Sequence, residues 1–155
     1  MKEIEIFDDE GPVDISIIEK FEKQIGYSLP VSYKELLSKH NALYPEEGSF
    51  DFVFKEKSNT HSFVFLGYGD EVESYEQISR SQQTEYCYEH IVVFGETPNG
   101  DYICFDYRAD PTTNNPPVVV MLHDYPDEND MMMVCPVADN FEAFIDSLYK
   151  WEDDE

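Results

Sequence analysis

The side chains able to do chemistry are few in kind. Four histidines, His40, His61, His90 and His123, and three cysteines, Cys87, Cys104 and Cys135, lie far apart along the 155-residue chain. No cysteine stands within a zinc-knuckle interval of another, so the expectation is no metal site and reduced, buried thiols. Neither a G-x-S-x-G turn nor a local Cys-His signature supplies an activated nucleophile, and Gly67-Tyr68-Gly69 is too short to cradle phosphate beside Asp70 and Glu71. The run Asp124, Asp127, Glu128, Asp130 offers oxygen ligands but lacks the ordered Gly and Glu of a calcium loop. Carboxylates are so numerous that two of them meeting carries no information about acid–base work. No catalytic residue, cofactor or metal is therefore expected, and the protein reads as a non-enzyme.

What the acids can do is recognise positive charge. The formal net charge is -24, from 34 acidic and 10 basic residues. Such a balance disfavours nucleic-acid and anionic-membrane partners and suits a basic protein. Three groups of acids fall in loops at strand ends: Asp70, Glu71 and Glu73; Asp106 and Asp110; and Asp124, Asp127, Glu128 and Asp130. If these loops share an edge they form an acidic docking face, with Tyr68, Tyr75, Tyr107 and Tyr125 among them as candidate contact anchors.

The elements that must carry these loops follow from periodicity. Apolar Ile18, Phe21 and Ile25, an Asp14 cap and Gly26 describe one helix; Pro30 with Tyr33, Leu36 and Leu37 describes a second. Residues 1–11 form a short edge strand or an arm. Residues 50–54 and 62–66 alternate as strands, with the polar run 55–60 read as a turn, and 74–81 reads as a short helix with Tyr75 and Ile78 inward. Residues 91–95 and 102–107 flank Asn99-Gly100, a hairpin signal. Val118–Leu122 is a continuous apolar run expected to be buried on both faces, 131–135 a last strand, and 138–149 a closing helix capped by Asp139 or Asn140. The expected fold is α+β: two N-terminal helices, a mostly antiparallel sheet of about five or six strands and a C-terminal helix packed on it.

At 41% hydrophobic and 15% aromatic residues, the chain can bury one substantial core, so a single domain over 1–155 is expected, with a core of about 14–150 and a frayed acidic tail at 151–155. The opening residues lack an apolar stretch of signal-peptide length and nothing approaches a membrane span. A cytoplasmic location is the expectation.

The helix–Gly–Leu29-Pro30–Tyr33-Lys34-x-Leu36-Leu37 layout resembles the opening of the SUKH superfamily of toxin-immunity proteins and fungal cell-wall regulators. The likeness continues through Phe94-Gly95-Glu96 with the Gly100–Asp106 hairpin arm, Pro117–Val120 followed by His123-Asp124, and Val137–Phe144. Asp-Asn at 139–140 stands where the family usually has Ser, and Ala42 stands after Asn41 where Gly is common. The resemblance implies a non-enzymatic binding domain, in bacteria one that neutralises a cognate secreted toxin. Combined with the charge, it points to a cytosolic immunity protein that engages a basic nuclease toxin through its acidic loops; the alternative is a regulatory module docking on endogenous proteins.

Overall fold

A computed structural model describes residues 1–69 and 88–151. Helix α1 (Ile15–Ile25) starts at Asp14, whose side chain accepts from the Ser16 amide at 2.9 Å, and stops at Gly26, which takes the left-handed φ of 79° that glycine tolerates. Helix α2 (Val31–Lys39) follows immediately after Pro30. Glu22 ties the connection: it accepts from the Leu29 amide at 2.7 Å and pairs with Lys34 at 3.1 Å. Both helices bury the expected stripe, Ile18 and Phe21 on one and Tyr33 and Leu37 on the other.

Strand β1 (Ile6–Asp8) pairs antiparallel with β2 (Tyr44–Pro45), and β3 (Ser49–Phe54) with β4 (Lys57–Ser62). The main sheet is antiparallel and five-stranded, in the order β5 (Val64–Phe65), β6 (Ile91–Glu96), β7 (Tyr102–Asp106), β8 (Val118–Pro126) and β9 (Met132–Ala138). Helix α3 (Phe141–Ser147) closes the fold, its Asn140 cap accepting from the Ala143 amide at 2.9 Å. The α+β architecture expected from periodicity is the one observed.

Period-2 alternation divides the sheet into two faces. Val92, Phe94, Ile103, Phe105, Val118, Val120 and Leu122 join the core formed with the helices, where Tyr33 meets Phe94, Phe105 and Phe141 edge to face and Phe94 stacks on Phe105 at 4.2 Å. Ile91, Val93, Cys104, Val119 and Met121 form a smaller cluster on the other face. The run Val118–Leu122 is buried throughout, between β7 and β9, as its unbroken apolar character requires. Gly95 sits where β5 crosses close to β6: a Cβ there would lie 2.9 Å from the Val64 carbonyl oxygen.

Some boundaries differ from the sequence expectation. The turn expected over 55–60 is confined to Lys55 and Glu56, at φ 52° and 64°, and residues 57–62 form β4 instead. This polar edge strand is held by its ladder to β3 rather than by its own propensity, so its side chains resemble a loop's. The strand expected over 62–66 contracts to Val64–Phe65, whereas β8 and β9 run on to Pro126 and Ala138. The last helix ends at Ser147, and Tyr149 exchanges backbone hydrogen bonds with Ser49. The helix expected over 74–81, Cys87 and the tail beyond Trp151 lie outside the described residues.

Candidate functional site

The strand order sets which acidic loops are neighbours. In the antiparallel sheet Asp106 ends β7 opposite Ile91, so it and Asp110 belong to one end; the β8–β9 turn, with Asp127, Glu128 and Asp130, belongs to the other. Asp124 and Tyr125 lie on the last stretch of β8 leading into that turn. Asp70, Glu71, Glu73 and Tyr75 lie outside the described residues.

At the first end the carboxylates serve their own loop. Asp106 takes the Arg108 guanidinium on both oxygens, at 3.0 and 2.9 Å, and Asp110 accepts from the amide and hydroxyl of Thr112. That hydroxyl, ahead of the amide, holds the Asp110 carboxyl below the usual range.

The two ends are nevertheless linked. Tyr88 packs against the smaller apolar cluster, carries the Arg108 guanidinium 5.1 Å from its ring centre and donates its hydroxyl to Asp127. The other oxygen of Asp127 accepts from the amides of Asn129 and Met131 at 2.8 and 3.1 Å. The Tyr88 hydroxyl first, and the two amides after it, hold the Asp127 carboxyl below its ordinary value. Asp127 thus shapes the β8–β9 turn.

Asp124, Glu128 and Asp130 remain outward. The Asp124 side chain is 74% exposed, with one oxygen 3.1 Å from His123 Nε2, and Glu128 and Asp130 are exposed on the turn itself. Beside them Tyr125 is 47% exposed. Its ring lies 4.8 Å from Phe54, which brings the β3–β4 tip, with Lys55 and Glu56, against the β8–β9 arm. The Lys55 ammonium rests over both rings, 5.2 Å from Phe54 and 5.4 Å from Tyr125.

Two other tyrosines expected among the contact anchors are core residues. Tyr68 is buried and shares a 2.6 Å hydrogen bond with Tyr33. Tyr107 is fully buried, stacks on Tyr27 at 4.6 Å and donates to the Ser28 carbonyl at 2.6 Å. Burial, with Glu22 nearby, pushes the Tyr107 hydroxyl's pKa up. Their positions in loops concealed that the rings fold back under the helices.

One cluster was missed in the sequence. Asp101, 4% exposed, accepts from the His123 amide at 3.0 Å and faces His123 Nδ1 at 2.6 Å, while its second oxygen lies 3.3 Å from His61 Nε2. Its own amide donates to Thr97 Oγ1 at 3.0 Å. These residues come from β4, the β6–β7 turn and β8, so the packing of the β3–β4 hairpin against the main sheet, not local spacing, gathers them. Both nitrogens of His123 are engaged by carboxylates, Asp101 and Asp124. Among the described residues no group of three or more His, Cys, Asp or Glu could hold a metal ion. The arrangement is a fastening at the root of the acidic hairpin.

The acid is unevenly spread. Residues 15–39, the two N-terminal helices and their link, hold four lysines against three glutamates, so the negative excess resides in the remaining chain. No helix among the described residues is long and apolar enough to cross a membrane.

Comparison with curated proteins and with solved structures returns no match. Comparison with protein families matches residues 12–147 to the SMI1 / KNR4 family (SUKH-1), from just before the first helix to the end of the last. That match spans most of the chain, which therefore belongs to the SMI1 / KNR4 (SUKH-1) family, a family that includes immunity proteins and cell-wall regulators.

Proposed function

We propose that this protein is a cytosolic immunity protein, catalytically inert, that binds and neutralises a cognate basic toxin, of which a nuclease is the best-fitting class. A nuclease must carry a positive groove for the nucleic-acid backbone, and a carboxylate-rich surface complements such a groove. The observation that carries the reading is the β8–β9 arm, which bears three exposed carboxylates, Asp124, Glu128 and Asp130, together with the half-exposed Tyr125 ring. Aromatic anchors within a charged rim are the usual energetic centre of a protein interface. Asp70, Glu71 and Glu73, outside the described residues, and Asp106 and Asp110, at the opposite end of the sheet, are further candidate partner-binding carboxylates, while Asp127 holds the β8–β9 turn in shape.

Co-expression with each toxin encoded beside this gene tests the reading. Growth should be restored by the wild-type protein, and the purified protein should show no turnover on nucleic acid, peptide or ester substrates. Failure to protect against every adjacent toxin would transfer the proposal to the regulatory class, in which the same face docks on endogenous proteins.

A further inference from the structure

The Phe54–Tyr125 pair is more specific than an acidic surface needs. Two aromatic rings from different hairpins meet at 4.8 Å, one of them 47% exposed, and a cation already lies over both. That cation comes from Lys55, a residue in the left-handed region at φ 52° within a two-residue hairpin turn. Such turns favour Asn and Gly, and a lysine there is neither the conformational choice nor a strand residue. An unfavourable residue at a tight position, with its charge laid on an exposed ring pair, points to a functional use of that charge.

We infer that the Phe54–Tyr125 pair is a slot for an arginine side chain of the partner, with Lys55 as its internal placeholder. This deepens the proposed docking function and rests on it. Arginine fits better than lysine because its planar, weakly hydrated guanidinium stacks on aromatic faces and still donates in-plane to carboxylates. Asp124, Glu128 and Asp130, exposed on the same arm as Tyr125, favour a positive occupant over an apolar one. The Lys55 ammonium, compact and strongly hydrated on a flexible stem, returns to water at little cost when a guanidinium takes its place. The slot therefore reads the chemistry of one partner side chain, whereas the surrounding acids attract any basic surface.

Short blocked peptides carrying two arginines, or two lysines at the same positions, are the probes, titrated into the full chain and followed by NMR. The arginine peptide should bind about five-fold more tightly than its lysine counterpart, with shifts centred on Phe54, Lys55 and Tyr125. Tyr125→Leu keeps an apolar contact for Phe54 but removes the ring, and should abolish that preference while leaving weak, salt-sensitive binding of both peptides. Lys55→Asn, which suits the left-handed turn, should widen the preference. Equal binding of the two peptides, or a preference that survives Tyr125→Leu, overturns the slot. Arginine preference without protection from any adjacent toxin would leave the slot standing and remove the immunity reading; protection unaffected by Tyr125→Leu, with equal peptide affinities, would do the reverse.

Discussion

Replacing Asp101 tests whether the acidic hairpin is anchored as described. Its carboxylate accepts from the His123 backbone amide at 3.0 Å and holds two imidazoles at 2.6 and 3.3 Å, at a site only 4% exposed. A hydrogen bond to a charged group contributes about 1.5–3 kcal/mol, and an amide left without its acceptor in the interior costs about 1–3 kcal/mol. The imidazoles are one-quarter to one-third exposed and can turn to water, and the 3.3 Å contact is weak, so the full sum is not lost. Asp101→Ala should therefore destabilise by about 3 kcal/mol, Asp101→Asn by about half as much because the amide oxygen still accepts from His123, and His61→Ala by less than either. Against a total stability on the order of 5–15 kcal/mol this is a large loss. Urea unfolding reads it directly: at a slope of about 1–3 kcal/mol per molar, the Asp101→Ala midpoint should fall by one to three molar. An Asp101→Asn protein that unfolds with the wild type, or a His61→Ala cost above that of Asp101→Ala, would refute the idea that this carboxylate fastens β4, the β6–β7 turn and β8 together.

Other expectations follow from single geometries. Asn41, 6% exposed, exchanges two hydrogen bonds with the Tyr68 backbone, at 2.7 and 2.8 Å, so Asn41→Ala should cost about 2–3 kcal/mol in thermal or urea unfolding; a loss under about 0.5 kcal/mol would contradict it. Ala42 follows at φ 53°, a left-handed conformation that costs a residue with a Cβ roughly 1–2 kcal/mol. Ala42→Gly removes that strain and adds unfolded-state freedom, leaving a net gain of about 0.5–1 kcal/mol; a lower unfolding midpoint would show the strain is absent. Asp127 has a folded pKa below its unfolded value, so its contribution is complete above about pH 4 and disappears as pH falls through the folded value, where both states are protonated. The stability gap between wild type and Asp127→Asn should accordingly be constant from neutral pH down to about 5 and close below about 4; a gap that widens on acidification would reverse the sign assigned to Asp127.

The legibility of this chain divides along physical lines. Features that depend on residues close in sequence were readable: the Asp14 cap, the Gly26 stop, the Asn99-Gly100 hairpin and the buried run Val118–Leu122 all report local constraints on φ, hydrogen-bonding or burial. Ala42 was readable as a departure, and its left-handed backbone shows why glycine is usual there. Strand β4 was hidden because an edge strand can be polar on every position when its partner supplies the ladder. The Asp101 cluster was hidden for a different reason, since His61, Asp101 and His123 meet only when the β3–β4 hairpin packs against the β6–β7 turn and β8. Among the acids, sequence identified the charge but not its tasks. Asp106, Asp110 and Asp127 accept hydrogen bonds within their own loops, from Arg108, Thr112 and the Asn129 amide, and Asp124, Glu128 and Asp130 are exposed on the β8–β9 arm.

Association kinetics with the toxin encoded beside the gene bear most directly on the claim that outward carboxylates recruit a basic protein. Long-range attraction raises the association rate above the ordinary range and is screened within about 10 Å at 0.1 M salt, so the wild-type rate should fall steeply as ionic strength rises. Reversing Asp124, Glu128 and Asp130 to lysine should slow association about ten-fold or more at low salt and flatten that dependence, leaving the dissociation rate much less changed. An association rate indifferent to salt, or unchanged in the triple reversal, would contradict the account.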